Sequence, residues 1–221
     1  MAREPDHVDA RACLSLLYLD EYRYHFNPRP DALARALSEV QRAVELDATS
    51  QLANRALAET QYFRRELGVF RSATERVLML NPRDTSSIGM VALLTAFSGD
   101  WERGKSIMTR VMAMNPHHAG WVHFVSCFDH YRQREYGKAL AAAEQINMPW
   151  YPWSYGCVTI CHAQLGHVEA ARKHLNDFLA LSPRYAKIAR RDLAKWFVSK
   201  EHVEHTLEGF AKAGLDVEVS R

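Results

Sequence analysis

The segment HHAGWVHFVSCFDHYR, residues 117–132, holds four histidines, one cysteine and one aspartate within sixteen positions. These side chains can ligate zinc or carry protons. His123, Cys127 and His130 are spaced i, i+4, i+7, so a single helix would put them on one face. That spacing suits a metal-ligand set and equally suits a stripe of packing residues. The other cysteines give no help to a metal reading. Cys13, Cys127, Cys157 and Cys161 contain no CxxC pair, which favours buried free thiols over a zinc knuckle or redox motif. The chain also lacks a P-loop, GxGxxG, GxSxG or HExxH motif. No spacing of Ser, His and Asp selects a triad. The expectation is a protein that is not an enzyme and carries neither cofactor nor metal.

The elements that would position these residues can be read from bulk properties first. The chain has 221 residues, 48% hydrophobic and 24% charged, which fits one large domain or a repeat array. A net charge of +2 gives no basic field for nucleic acid and no acidic tail. The start, MAREPDHVDARA, has no apolar signal core, and no apolar run approaches membrane-spanning length. A soluble cytoplasmic protein without nucleic-acid or membrane partners is expected. Ala, Leu, Glu, Arg and Gln dominate and favour helix. Only the tail from Leu215 looks extended, as a frayed end.

The punctuation repeats. Prolines fall at 82, 116, 149 and 183, with spacings of 34, 33 and 34, each after an apolar helical run: RVLMLNP, RVMAMNP, EQINMP and FLALSP. AVELDA, ending at Ala48, is a fifth member without the proline. A period of 34 is that of a helix–turn–helix repeat. The expected pairs are 8–25 with 31–46, 51–66 with 69–80, 85–98 with 101–114, 120–134 with 136–147, and 153–165 with 167–181. Two terminal helices, 184–197 and 199–212, follow. As a single domain the units run 8–48, 51–82, 85–116, 120–149 and 153–183, closed by 184–213. Gly99 and Gly166 are expected as left-handed C-caps, and Asp31 as an N-cap.

This spacing resembles the tetratricopeptide repeat across nearly the whole chain. Tyr136-Gly-Lys-Ala139-Leu140 and Gly166-His-Val-Glu-Ala170-Ala171 match its turn and second-helix start. YLDEYRYHFNPRPD, GDWERG, MNPHHAGW, HYRQREYGKALAAAEQINMP, QLGHVEAAR and VEHTLEGFAKAGL are similar to the repeat regions that follow class III adenylate/guanylate cyclase domains in bacteria, and to related regulators. The resemblance implies an all-α, right-handed superhelical solenoid of about five helix pairs plus two C-terminal capping helices. Helices begin by about residue 8, so the chain is expected to be the repeat module alone, without cyclase activity.

The repeat frame changes the reading of the histidines. His123, Cys127 and His130 take positions four, eight and eleven, where the family packs large, small and large side chains. His162 is also at position eleven, so an approach of His130 to His162 keeps a metal site conceivable beside Cys127 and Cys161. By the same resemblance, positions two, five, nine and twelve line a concave groove. They are Leu52, Arg55, Glu59 and Tyr62; Ser86, Gly89, Leu93 and Ala96; Trp121, Phe124, Phe128 and Tyr131; and Trp153, Gly156, Ile160 and Ala163. The third set is wholly aromatic. An aromatic floor beside small residues suits an apolar peptide or helix, with Arg55 and Glu59 as a polar end. The competing reading is that the terminal helices fold back and cover these rings. The cluster Met148-Pro-Trp-Tyr-Pro-Trp153-Ser-Tyr155 is expected to fill the wedge between two repeats. Arg184, Lys187, Arg191 and Lys195 share a helix face, with Arg190 beside it, most simply as a solvated face.

The function expected is protein–protein interaction: an adaptor or regulatory module of bacterial signalling that docks a protein or peptide on its concave face. The anchors would be Arg55, Glu59, Tyr62, Leu93, Trp121, Phe124, Phe128, Tyr131 and Trp153. The alternatives are an oligomerisation module acting as a homodimer, and a ligand or metal sensor built on His123, His130 and His162.

Overall fold

The computed structural model describes residues 6–24, 27 and 29–216. Those residues form helices and turns, with no strand among them. Five antiparallel pairs run in order: α1 (Val8–Tyr24) with α2 (Ala32–Leu46), α3 (Gln51–Phe63) with α4 (Leu67–Leu80), α5 (Thr85–Phe97) with α6 (Trp101–Met114), α7 (Phe124–Arg132) with α8 (Tyr136–Glu144), and α9 (Pro152–Gln164) with α10 (Val168–Leu181). A 3₁₀ turn, Gly120–His123, leads into α7. Two further helices, α11 (Tyr185–Trp196) and α12 (Lys200–Ala213), close the chain. No helix among the described residues is long and apolar enough to cross a membrane.

Hydrogen bonds at the helix ends repeat with the sequence. The first helix of pairs two to five ends in the same two bonds. The amides of Glu66, Asp100, Glu135 and His167 donate to the carbonyls of Gln61, Thr95, His130 and His162. The amides of Arg65, Gly99, Arg134 and Gly166 donate to the carbonyls of Tyr62, Ala96, Tyr131 and Ala163. This is the Schellman closure, which needs a left-handed residue. Gly99 and Gly166 supply it at φ 109° and 77°, as the sequence suggests, while Arg65 and Arg134 adopt it at 65° and 62°. These closures stop the first helices one to three residues short of the expected ends.

The turns between pairs are equally regular. The side chains of Asn81 and Asn115 accept from the amides of Arg83 and His117, and Asp47 accepts from Thr49. Asp47 therefore does in the first pair what the Asn-Pro steps do later. Asp31 corrects one expectation. It sits at the N-cap of α2 in a left-handed conformation, and its side chain makes no capping bond. The second helix α8 ends at Glu144 instead of 147, where Gly120 crosses it. A side chain at 120 would lie 1.8 Å from the Ile146 carbonyl oxygen.

One continuous core runs from Leu19 through the second pair to Leu215, and a smaller alanine-rich one joins α1, α2 and α3. The helical array is a tetratricopeptide-like solenoid of five pairs with two terminal helices.

Candidate functional site

The residues expected to line the concave face lie on α3, α5, α7 with its leading 3₁₀ turn, and α9, and the terminal helices pack against them. Arg65, left-handed at the end of α3, aims its guanidinium at the C-terminus of α11. It donates to the carbonyls of Ala194, Lys195 and Phe197. A cation there satisfies carbonyls that the helix leaves unpaired. The Tyr62 hydroxyl, 0% exposed, donates to the Trp196 carbonyl, and burial pushes its phenol up. The Lys195 ammonium donates to the Tyr22 carbonyl at 2.9 Å. Lys195 is therefore buried against α1, which corrects the expected solvated face. Arg184, Lys187 and Arg191 are exposed, while Arg190 pairs with Glu204.

Once α11 is seated, α12 covers the aromatic floor. Phe197 meets Phe97 at 4.6 Å and Phe128 at 4.9 Å between ring centroids. Phe128 also meets His202 at 5.6 Å and is 3% exposed. The Tyr131 hydroxyl donates to the His205 carbonyl at 3.1 Å and accepts from Gln164 at 3.2 Å. Its ring stacks on His205 at 4.5 Å, and it is 0% exposed. Gly209 makes this approach possible, since a β-carbon there would stand 2.3 Å from the Tyr131 oxygen. Tyr131 thus faces the chain's own C-terminal helices and offers no surface to a partner in this arrangement, while Phe128, packed on the same helices, keeps only an edge on the pocket between them.

The expected polar end is also internal. Glu59, 0% exposed, accepts from Arg55 at 2.7 Å and from Arg23 at 2.5 Å. Arg23 reaches Asp20 as well, and its carboxylate partners raise its pKa against the cost of burial. A buried network of matched charges fixes α1 against α3 and leaves no charge free for a ligand. Sequence reading could not find it, because Arg23 and Glu59 lie on different helices.

Part of the concave face stays open. Leu93, Trp121, Phe124 and Trp153 line a pocket of about 290 Å³ with Met90 and Met148. Trp150 stands at its rim, 74% exposed. The cluster at 148–155 thus only partly fills the wedge: Trp153 packs on Phe178, Tyr185 and Phe210, while Trp150 projects away.

The histidines of the opening segment do not converge. His123 lies near His118 at 5.2 Å, His130 bonds Glu135 at 2.6 Å, and His162 bonds His167 at 3.1 Å. No group of three or more His, Cys, Asp or Glu among the described residues is arranged to hold a metal ion. Cys127, Cys157 and Cys161 are buried free thiols in mutual contact, and each titrates above its ordinary value. Proximity to Cys157 and burial raise Cys127, and burial leads for Cys157.

The fold and this covered concave face define a tetratricopeptide-like helical repeat protein. No protein-family model matches the chain, and no curated protein does. Among solved structures it is similar to the crystal structure of PilW, a widely conserved type IV pilus biogenesis factor. The two share a TM-score of 0.64 at 11% sequence identity, over 91% of this chain and 93% of that one. At that identity the likeness is one of fold.

Proposed function

We propose that the chain is a non-catalytic interaction module, an adaptor or regulatory element that receives an apolar segment of a partner protein at the open part of its concave face. Trp150 carries this reading. A large exposed ring beside an apolar pocket is the usual anatomy of an interface anchor, and its exposure is unexplained by packing within the chain. Leu93, Trp121, Phe124 and Trp153 are the pocket wall that a partner side chain would enter. Phe128 contributes an edge to that wall, and Arg55, Glu59, Tyr62 and Tyr131 hold the frame around it.

The resemblance to the repeat regions of cyclase-type regulators supports a bacterial signalling setting, with a cytoplasmic location. The likeness to a pilus biogenesis factor supports use of the fold in protein assembly. A photo-crosslinking residue at position 150 tests the site, with position 79 as control, since Met79 is also exposed but is not part of the pocket lining. The expected result is a partner adduct from 150, absent from 79 and lost in a Leu93→Arg background. Equal labelling from both positions refutes the site. An adduct of two copies of this chain would assign the same surface to a homodimer. For a heterologous partner, Trp150→Ala should weaken binding by about 2 kcal/mol.

A further inference from the structure

A second cavity, of about 870 Å³, opens where α1 faces the start of α9, the end of α10 and α11. Its size suits a small molecule. Its wall carries the rings of Tyr24, Tyr151, Trp153, Tyr185 and Trp196 and the carboxylate of Asp192. The other ionised groups there are matched by neighbouring side chains. Arg23 has Asp20 and Glu59, and Glu21 has Arg29 at 2.7 Å and Arg35 at 2.5 Å.

Asp192 differs. It is 8% exposed, and its ion pair with Lys195 is long, at 3.7 Å. The Lys195 ammonium is held at 2.9 Å by the Tyr22 carbonyl. Near Asp192, the Tyr185 hydroxyl is buried with no hydrogen-bond partner among the described residues. The wall therefore combines an under-compensated negative charge with aromatic faces. Aromatic faces attract organic cations, and a buried carboxylate strengthens that attraction. Anions have little to bind, because the buried guanidinium of Arg23 is already saturated.

We propose that this cavity binds a small primary ammonium carrying an apolar or aromatic body, with Asp192 accepting from the ammonium and the rings enclosing the rest. Burial holds the Asp192 carboxyl at about 6, as expected for a carboxylate short of counter-charge. The groups facing it are Lys195 and Arg191 on its own helix, Tyr185 at the start of that helix, Tyr24 from α1 and Tyr151 ahead of α9.

Calorimetric titration with 2-phenylethylammonium and with neutral 2-phenylethanol tests the site. The expected result at about pH 7.5 is saturable one-to-one binding of the ammonium, with the alcohol at least about tenfold weaker. Asp192→Asn should remove that preference and leave alcohol binding unchanged. If the variant does not fold, the wild-type protein decides the matter at about pH 5. There the probe stays protonated while Asp192 takes up a proton, so the preference should shrink several-fold. Equal binding of the two probes, no saturable binding, a preference intact in folded Asp192→Asn, or a preference unchanged at low pH would each overturn the proposal.

Discussion

His202 is a buried base placed where it weakens the fold in acid. It lies on α12, 5% exposed, with Phe197 at 4.1 Å, Trp101 at 5.4 Å and Phe128 at 5.6 Å. Neither ring nitrogen has a hydrogen-bond partner among the described residues. Burial, then His205 and Arg132, lower its pKa from 6.5 to about 3. Because the folded value lies below the unfolded one, the neutral ring's contribution is intact above 6.5. It is lost as pH falls from there towards 3. At about pH 5 the gap is roughly 1.5 units, or about 2 kcal/mol of lost stability. His202→Met removes the titration and keeps a flexible apolar side chain against the rings. Urea unfolding at about pH 7.5 and about pH 5 reads the effect. The variant should lose about 2 kcal/mol less than the wild-type protein between those conditions. It should also gain about 1 kcal/mol at the higher pH, where two unpaired polar atoms disappear. Equal losses in the two proteins would refute the reasoning, because the histidine would then be protonated in the folded state or find a partner when charged.

Asp192 opposes this effect. Its folded pKa of about 6 lies above the ordinary 3.8, so its contribution is full below 3.8 and is lost as pH rises through 6. Acidification to about pH 5 thus returns about 1 kcal/mol, and Asp192→Asn should lose more stability than wild type over that interval by this amount. Gly209→Val should destabilise the fold by about 2–3 kcal/mol, because its β-carbon would meet the Tyr131 oxygen at 2.3 Å and Ile160 at 2.9 Å. Gly68→Ala, with nothing within 4 Å, should change stability by less than about 1 kcal/mol, and thermal unfolding compares the two.

The legible part of the fold was its local chemistry. Proline and asparagine punctuate each unit, and the periodicity even places Asp47, which lacks the following proline, at the same turn. Left-handed glycines at 99 and 166 were readable, while Arg65 and Arg134 were not, because nothing in an arginine announces a positive φ. Packing between distant elements was the hidden part. The groove positions are assigned by the repeat frame, but periodicity does not say what lies above them. Lys195 shows the reason: it shares a helical face with exposed cations, and only the docking of α11 against α1 takes its ammonium out of water. Glu59 is similar, since a partner 36 residues away converts a groove carboxylate into a structural one. The signal for the cap was nevertheless present. Trp196, Phe197 and Phe210 are large apolar residues on terminal helices that would otherwise have nothing to cover.

That cap joins the two proposed sites. Tyr24, Tyr151, Trp153 and Trp196 line both cavities, so one aromatic partition separates the interaction pocket from the ammonium pocket. Trp196 sits at the end of α11, whose carbonyls are held by Tyr62 and Arg65, while Tyr24 ends α1. A ligand that turns one of these rings alters the wall of the other pocket without any wider motion. Occupancy of one site should therefore change affinity at the other, by the same factor in both directions, as linkage requires. Titrating the crosslinked partner's segment with and without saturating 2-phenylethylammonium, and then the reverse, measures both factors. A shift of about fivefold fits a coupling near 1 kcal/mol. Unequal factors would mean that one titration had not reached equilibrium, since linkage holds for any number of conformational states, and no shift in either direction would mean that the four rings are a rigid wall.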